Sequence, residues 1–208
     1  MTRPARLAAA LVALLFLAVE AVDIVPAVAA EGLAALASRA RYFSDLTIWL
    51  VLFGFCRIAL TGRAPGRVWA AGMVLWLGIV GVVFFTILGG GSATGFDKAV
   101  SYAQHAALPV ATALWWLAFA PKAGLPWSAA ARWLIWLAAY AVVTIALGFA
   151  TGWWPYGFLN MPELGWGESI RNLIGFFGAF WLAGLALVAL ARALGRYERP
   201  SSSSRVRP

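Results

Sequence analysis

The chain has 208 residues, of which 63% are hydrophobic and only 12% charged, and its mean hydropathy is +0.84. A soluble domain is about half apolar and about a quarter charged, so this composition excludes an ordinary water-soluble globular protein. The net charge of +8 does not point to nucleic acid, because the basic residues stand at the ends of apolar runs rather than along a polar face.

Six apolar stretches are long enough to cross a hydrocarbon layer of about 30 Å, which takes roughly 20 helical residues. The first runs near Leu7 to Ala29. Its flanking arginines and Val28-Ala29-Ala30 resemble a signal peptide, but Glu20 and Asp23 interrupt the run, so it is read as a retained membrane helix. These two acids are three apart and share one helix face. They are expected to pair with Arg39 or Arg41; the other reading has them orienting a histidine.

The second stretch runs from Phe43 to Leu60 and opens with Ser44, Asp45 and Thr47. Ser44 fits a helix cap, since its hydroxyl can accept an orphan backbone N–H, and Asp45 reads as interfacial. Cys56, the single cysteine, lies here, which excludes an intramolecular disulfide and a cysteine-built metal cluster. The third stretch is Val68 to Leu88. The run Gly89 to Gly95 that follows is rich in glycine, but no lysine closes a phosphate-binding pattern, so it reads as a flexible loop.

The fourth stretch, Val100 to Ala120, holds His105, the only histidine. It is placed about one and a half turns into its helix, roughly 7 Å deep. One histidine without cysteine partners makes a zinc or bis-histidine haem site a poor reading, and no metal or cofactor is expected. A general base, a proton relay and a packing hydrogen bond all remain open for it. Proximity to a helix N-terminus is expected to keep the ring neutral. The fifth stretch, Ala129 to Ala150, leads into Trp153-Trp-Pro-Tyr-Gly-Phe158, and the sixth runs from Ile170 to Leu194. The serine- and arginine-rich tail from Arg196 to Pro208 is expected to be disordered.

The fold expected is therefore all-α: one transmembrane bundle of six helices over residues 1–195, followed by a basic cytoplasmic tail. Six spans put both termini on one side with Arg3, Arg6, Arg57, Arg63, Arg67, Lys122, Arg132, Arg192, Arg196, Arg199, Arg205 and Arg207. Only Arg39, Arg41, Lys98 and Arg171 fall on the other. By the positive-inside rule both termini are cytoplasmic. Trp69, Trp115, Trp116 and Trp127 then belong to an inner aromatic belt, and Trp153, Trp154 and Trp166 to an outer one. This topology gathers Ser44, His105, Glu20, Asp23 and the aromatic loop at the outer face. The second and fourth helices are expected to pack together there, helped by Ala103, Ala106 and Ala107.

Arg41-Tyr-Phe-Ser44, His105-Ala-Ala-Leu-Pro109 and Trp153-Trp-Pro-Tyr-Gly-Phe-Leu159 occur in this order. Together they resemble the androgen-induced-protein-like family of six-helix membrane proteins, to which the androgen-dependent TFPI-regulating protein belongs. The resemblance covers about Arg41 to Leu194. It implies a hydrolase of fatty acid esters of hydroxy fatty acids, with a threonine nucleophile and a histidine. Ser44 stands at the threonine position and keeps a hydroxyl; His105 matches the histidine. The aromatic-proline loop would bind substrate through Trp154, Tyr156 and Phe158. Gly157 stands where similar sequences carry proline, and Ile48 where many carry asparagine. Expected partners are the bilayer and a membrane lipid or fatty-acyl ester, not nucleic acid, with the protein in a bacterial cytoplasmic membrane. The reading from another class is a non-catalytic small transporter or lipid-binding scaffold, with Glu20, Asp23 and His105 as a relay or structural network.

Overall fold

A computed structural model describes residues 1–196. It is helical, with no strand among the described residues. The order is α1 (Arg3–Glu31), α2 (Ala34–Arg39), α3 (Phe43–Thr61) and α4 (Arg67–Thr86). A composite helix follows: α5 (Gly95–Tyr102), a π-helical turn (Ala103–Ala107) and α6 (Leu108–Phe119). Then come α7 (Ala129–Thr151), a 3-10 turn (Gly157–Leu159), α8 (Met161–Leu164) and α9 (Trp166–Leu194). Five of these helices, α1, α3, α4, α7 and α9, are long and apolar enough to cross a membrane. The tail expected to be disordered lies, beyond Arg196, outside the described residues.

The apolar residues leave no polar face long enough for water, so the helices are packed by shape and by indole and guanidinium hydrogen bonds. α4 is buried on nearly all sides, through Ala71, Met73, Trp76, Leu77, Val80 and Phe84. It packs against α3, α6, α7 and α9, while α1 packs on α3 and α6. Arg6 donates to the carbonyls of Ala59 and Leu60 at 2.7 and 3.0 Å, tying the start of α1 to the end of α3. Trp76 donates to the Trp133 carbonyl and Trp133 to the Val68 carbonyl, at 3.2 and 2.9 Å.

Three expectations are corrected. The His105 helix takes its main packing from α4 and α1 and meets α3 through the Phe55–Trp115 rings, so the second and fourth stretches are weaker neighbours than the alanine pattern suggested. The helix also starts at Gly95, which puts His105 ten residues in, about 15 Å along the axis; the N-terminal dipole no longer explains a neutral ring. Finally, Trp115 and Trp116 are buried at 3% and 2% exposure and do not belt an interface. Trp115 instead donates to the Ala5 carbonyl and meets Phe55 edge to face. The glycine loop is shaped by Gly89, Gly90 and Gly91, all at positive φ of 62°, 80° and 73°, where a Cβ is strained.

Candidate functional site

A cavity of about 590 Å³ opens where α2, α3, α4, α7 and α9 converge on the loop after α7. Its polar wall carries Glu31, Ser38, Arg39, Ser44, Asp45, His105 and Tyr156. Much of the remaining lining is apolar: Val80, Val83 and Phe84 of α4, Leu137 of α7, and Phe176 and Phe180 of α9. Ser44 and His105, from helices far apart in sequence, thus line one space. Pro155 to Leu159 complete it. Trp154 does not line it: a Cβ on Gly148 would come 2.6 Å from the Trp154 ring, so this indole is seated against the end of α7.

Ser44 is the second residue of α3. The cap position belongs to Tyr42, and no side chain caps the helix, which corrects the capping role. The Ser44 hydroxyl donates to the Asp45 carboxylate at 3.4 Å, a long and weak bond, and it also lies against the Tyr156 phenol. The Tyr156 oxygen accepts the Phe43 N–H at 3.1 Å, one of the orphan donors at the start of α3. Burial holds the Tyr156 phenol above its ordinary range, so it stays protonated and retains its own hydrogen to donate.

His105 sits inside the π-helical turn, a geometry that often marks functional positions because it re-aims a side chain. Its Nδ1 lies 2.8 Å from the Ser101 carbonyl. A carbonyl only accepts, so Nδ1 carries the hydrogen, and in the neutral ring Nε2 holds the free lone pair. Phe84 stacks on the imidazole with centroids 3.8 Å apart and planes 19° from parallel. A Cβ on Gly81, one turn before Phe84, would come 2.5 Å from the His105 carbonyl oxygen. α4 therefore grips His105 twice, by its backbone and by its ring.

Behind the polar wall lies a buried acid network that the single sequence showed only in outline. Arg39 donates to Asp23 at 2.6 Å and to Asp45 at 3.2 Å, and forms a further close ion pair with Asp23. Gln104 donates to both Glu20 and Asp23, at 3.0 and 2.9 Å, and Trp49 donates to Glu20 at 2.8 Å. Asp23 pairs with arginine as expected. Glu20 is held by an amide and an indole instead, and neither acid touches His105. Asp45 is buried at 8% exposure, with Arg39 supplying its counter-charge. Gln104 had no motif to announce it. Its one available signal was an amide in an apolar stretch, which needs partners when buried.

Comparison with family models, with curated proteins and with solved structures finds no match to this chain.

Proposed function

We propose that the chain is an integral-membrane hydrolase of fatty-acyl esters, related to the androgen-induced-protein-like family that its three motifs resemble. The observation that carries this reading is the shared cavity: a hydroxyl and an imidazole with a free Nε2 line a space whose remaining lining is largely apolar. Such a space suits an amphiphile, with its acyl chain among the phenylalanines and its ester at the polar wall. The composite helix Gly95 to Phe119 serves as the sixth span, both termini are cytoplasmic, and the cavity lies toward the outer face of a bacterial cytoplasmic membrane. The basic asymmetry of the loops supports this orientation.

In the proposed reaction His105 Nε2 takes the proton of Ser44 as its Oγ bonds to the ester carbonyl carbon. The tetrahedral oxyanion forms beside Tyr156 at the start of α3, where the phenol is a hydrogen-bond donor. The alcohol leaves with the proton from His105. Water, deprotonated by the same imidazole, then releases the fatty acid and restores the Ser44 hydroxyl. Trp154 supports the loop from behind, while Tyr156 and Phe158 face the substrate.

The test is labelling of detergent-solubilised protein with a fluorophosphonate probe, with Ser44→Ala alongside. Labelling lost in the folded variant supports the reading; equal labelling removes Ser44 as nucleophile. The satisfied network of Glu20, Asp23, Arg39, Asp45 and Gln104 favours a second reading, a non-catalytic lipid-binding scaffold in which these groups only fasten helices. That protein would bind amphiphiles in the cavity and hydrolyse none.

A further inference from the structure

The charge of the polar wall selects among amphiphiles. Glu31, Arg39 and Asp45 are the charged side chains on the cavity, with His105 beside them. Arg39 is the one cation on the cavity among the described residues, and both arms of its guanidinium are spent on Asp23 and Asp45. The nearby cations point elsewhere. Arg41 lies over the Trp153 ring at 4.9 Å and Lys98 over the Tyr102 ring at 5.4 Å, and neither lines the cavity. Glu31, at the end of α1, lines the cavity, is exposed, and has no hydrogen-bond or ion-pair partner among the described residues. On the wall one guanidinium stands against Asp45 and Glu31, and Asp23 behind it adds a third carboxylate paired to the same Arg39, so this end of the cavity is negative.

A ligand carboxylate entering here would meet like charge with no arginine left to receive it, in a setting where water screens poorly. A neutral head would meet donors and acceptors instead: the Ser38 hydroxyl, the Tyr42 and Tyr156 phenols and the imidazole. A cationic head would gain the Glu31 charge.

We propose that the cavity takes fatty-acyl amphiphiles whose polar end is uncharged or cationic, and discriminates against those bearing a free carboxylate, through Glu31 and the arginine-spending pair Asp23 and Asp45. This rests on the hydrolase reading for its substrate, but the selection itself is a property of binding. An ester of a hydroxy fatty acid would then be favoured with its carboxyl capped rather than free.

The experiment uses the full chain in nanodiscs of uncharged lipid and one acyl chain throughout: hexadecanoyl lactate, its methyl ester, and hexadecanoylcholine. Hydrolysis is followed with the wild type. Binding is followed by displacement of a fluorescent fatty-acyl probe from Ser44→Ala, and from the wild type with the matching ether analogues. The methyl and choline esters should bind at least about tenfold tighter than the free acid, as expected for removal of one close like-charge contact. Glu31→Gln, at an exposed position outside the reacting groups, should narrow that gap at least about threefold, and Glu31→Lys should close it. Equal or tighter binding of the free acid, or a gap indifferent to Glu31, overturns the proposal. If none of the esters is hydrolysed, the hydrolase reading fails while the order of binding still judges the selection.

Discussion

Gly81 of α4 faces the backbone of His105 so closely that a Cβ at Gly81 would lie 2.5 Å from the His105 carbonyl oxygen. No flexible side chain can move aside, because the atom met is backbone. Gly81→Ala should therefore push the π-helical turn away from α4, cost about 1–3 kcal/mol of stability by overpacking, and lower ester hydrolysis per folded molecule at least about tenfold through a misplaced base. Gly78, on the same helix, has nothing within 4 Å of its Cβ position. Gly78→Ala should be neutral or stabilising by about 0.5–1 kcal/mol. Thermal unfolding and single-turnover rates check the pair; equal rates in the two variants would remove α4 as the support of His105.

The hydroxyl at position 44 gives the next prediction. Ser44→Ala should abolish hydrolysis of a long-chain ester, and Ser44→Thr should keep measurable activity. His105→Ala should lose about as much rate as Ser44→Ala, and the double variant little more, because groups acting as one unit are non-additive. Since Ser44 caps nothing, the alanine variant should unfold within about 0.5 kcal/mol of the parent. Parental rates from folded Ser44→Ala would end the mechanism.

Tyr156 carries a double duty that a phenylalanine separates. Tyr156→Phe keeps the ring that stacks on Phe158, with centroids 5.0 Å apart, but leaves the Phe43 N–H without its acceptor. The stability cost should be about 1 kcal/mol. If the phenol also donates to the oxyanion, kcat should fall at least about tenfold with KM little changed. A change in stability alone would confine Tyr156 to holding the start of α3.

The acid network can be tested through stability alone. Arg39→Ala strands Asp23 and Asp45, and should cost about 1–3 kcal/mol, less than a fully buried pair because these side chains are partly exposed. Arg39→Lys should recover only part, as an ammonium cannot make the forked contacts. Adding Asp23→Asn to Arg39→Ala should restore some of the loss, because the stranded charge is then gone. Additive losses would mean that the pairing contributes nothing.

Orientation follows from the asymmetry of the basic residues. A reporter active only outside the cytoplasm should be silent when fused after Arg199 and active when inserted near Ser92. The opposite pattern would put the cavity on the inner face.

The sequence by itself determined that this chain is a bundle of long apolar helices. Some 20 apolar residues in a row have one stable arrangement in lipid, and helical period and length are properties of a segment alone. It also marked Ser44, a hydroxyl at a helix start, and His105, the single histidine, while Tyr156 was marked only by the resemblance of its loop to a family motif. Only the tertiary structure decided what these groups do to one another. Which helices are neighbours depends on where a glycine admits a backbone, and Gly81 brought α4, rather than α3, against His105. Whether an acid can be buried depends on a counter-charge from another segment, and Arg39 of α2 supplies it to Asp45. The partners of Glu20 come from α3 and from the π-helical turn, 29 and 84 residues away. Indoles favour interfaces, which points Trp115 and Trp116 to a belt, yet the bundle buries both. Burial and pairing are sums over contacts between distant segments, and no local pattern carries them.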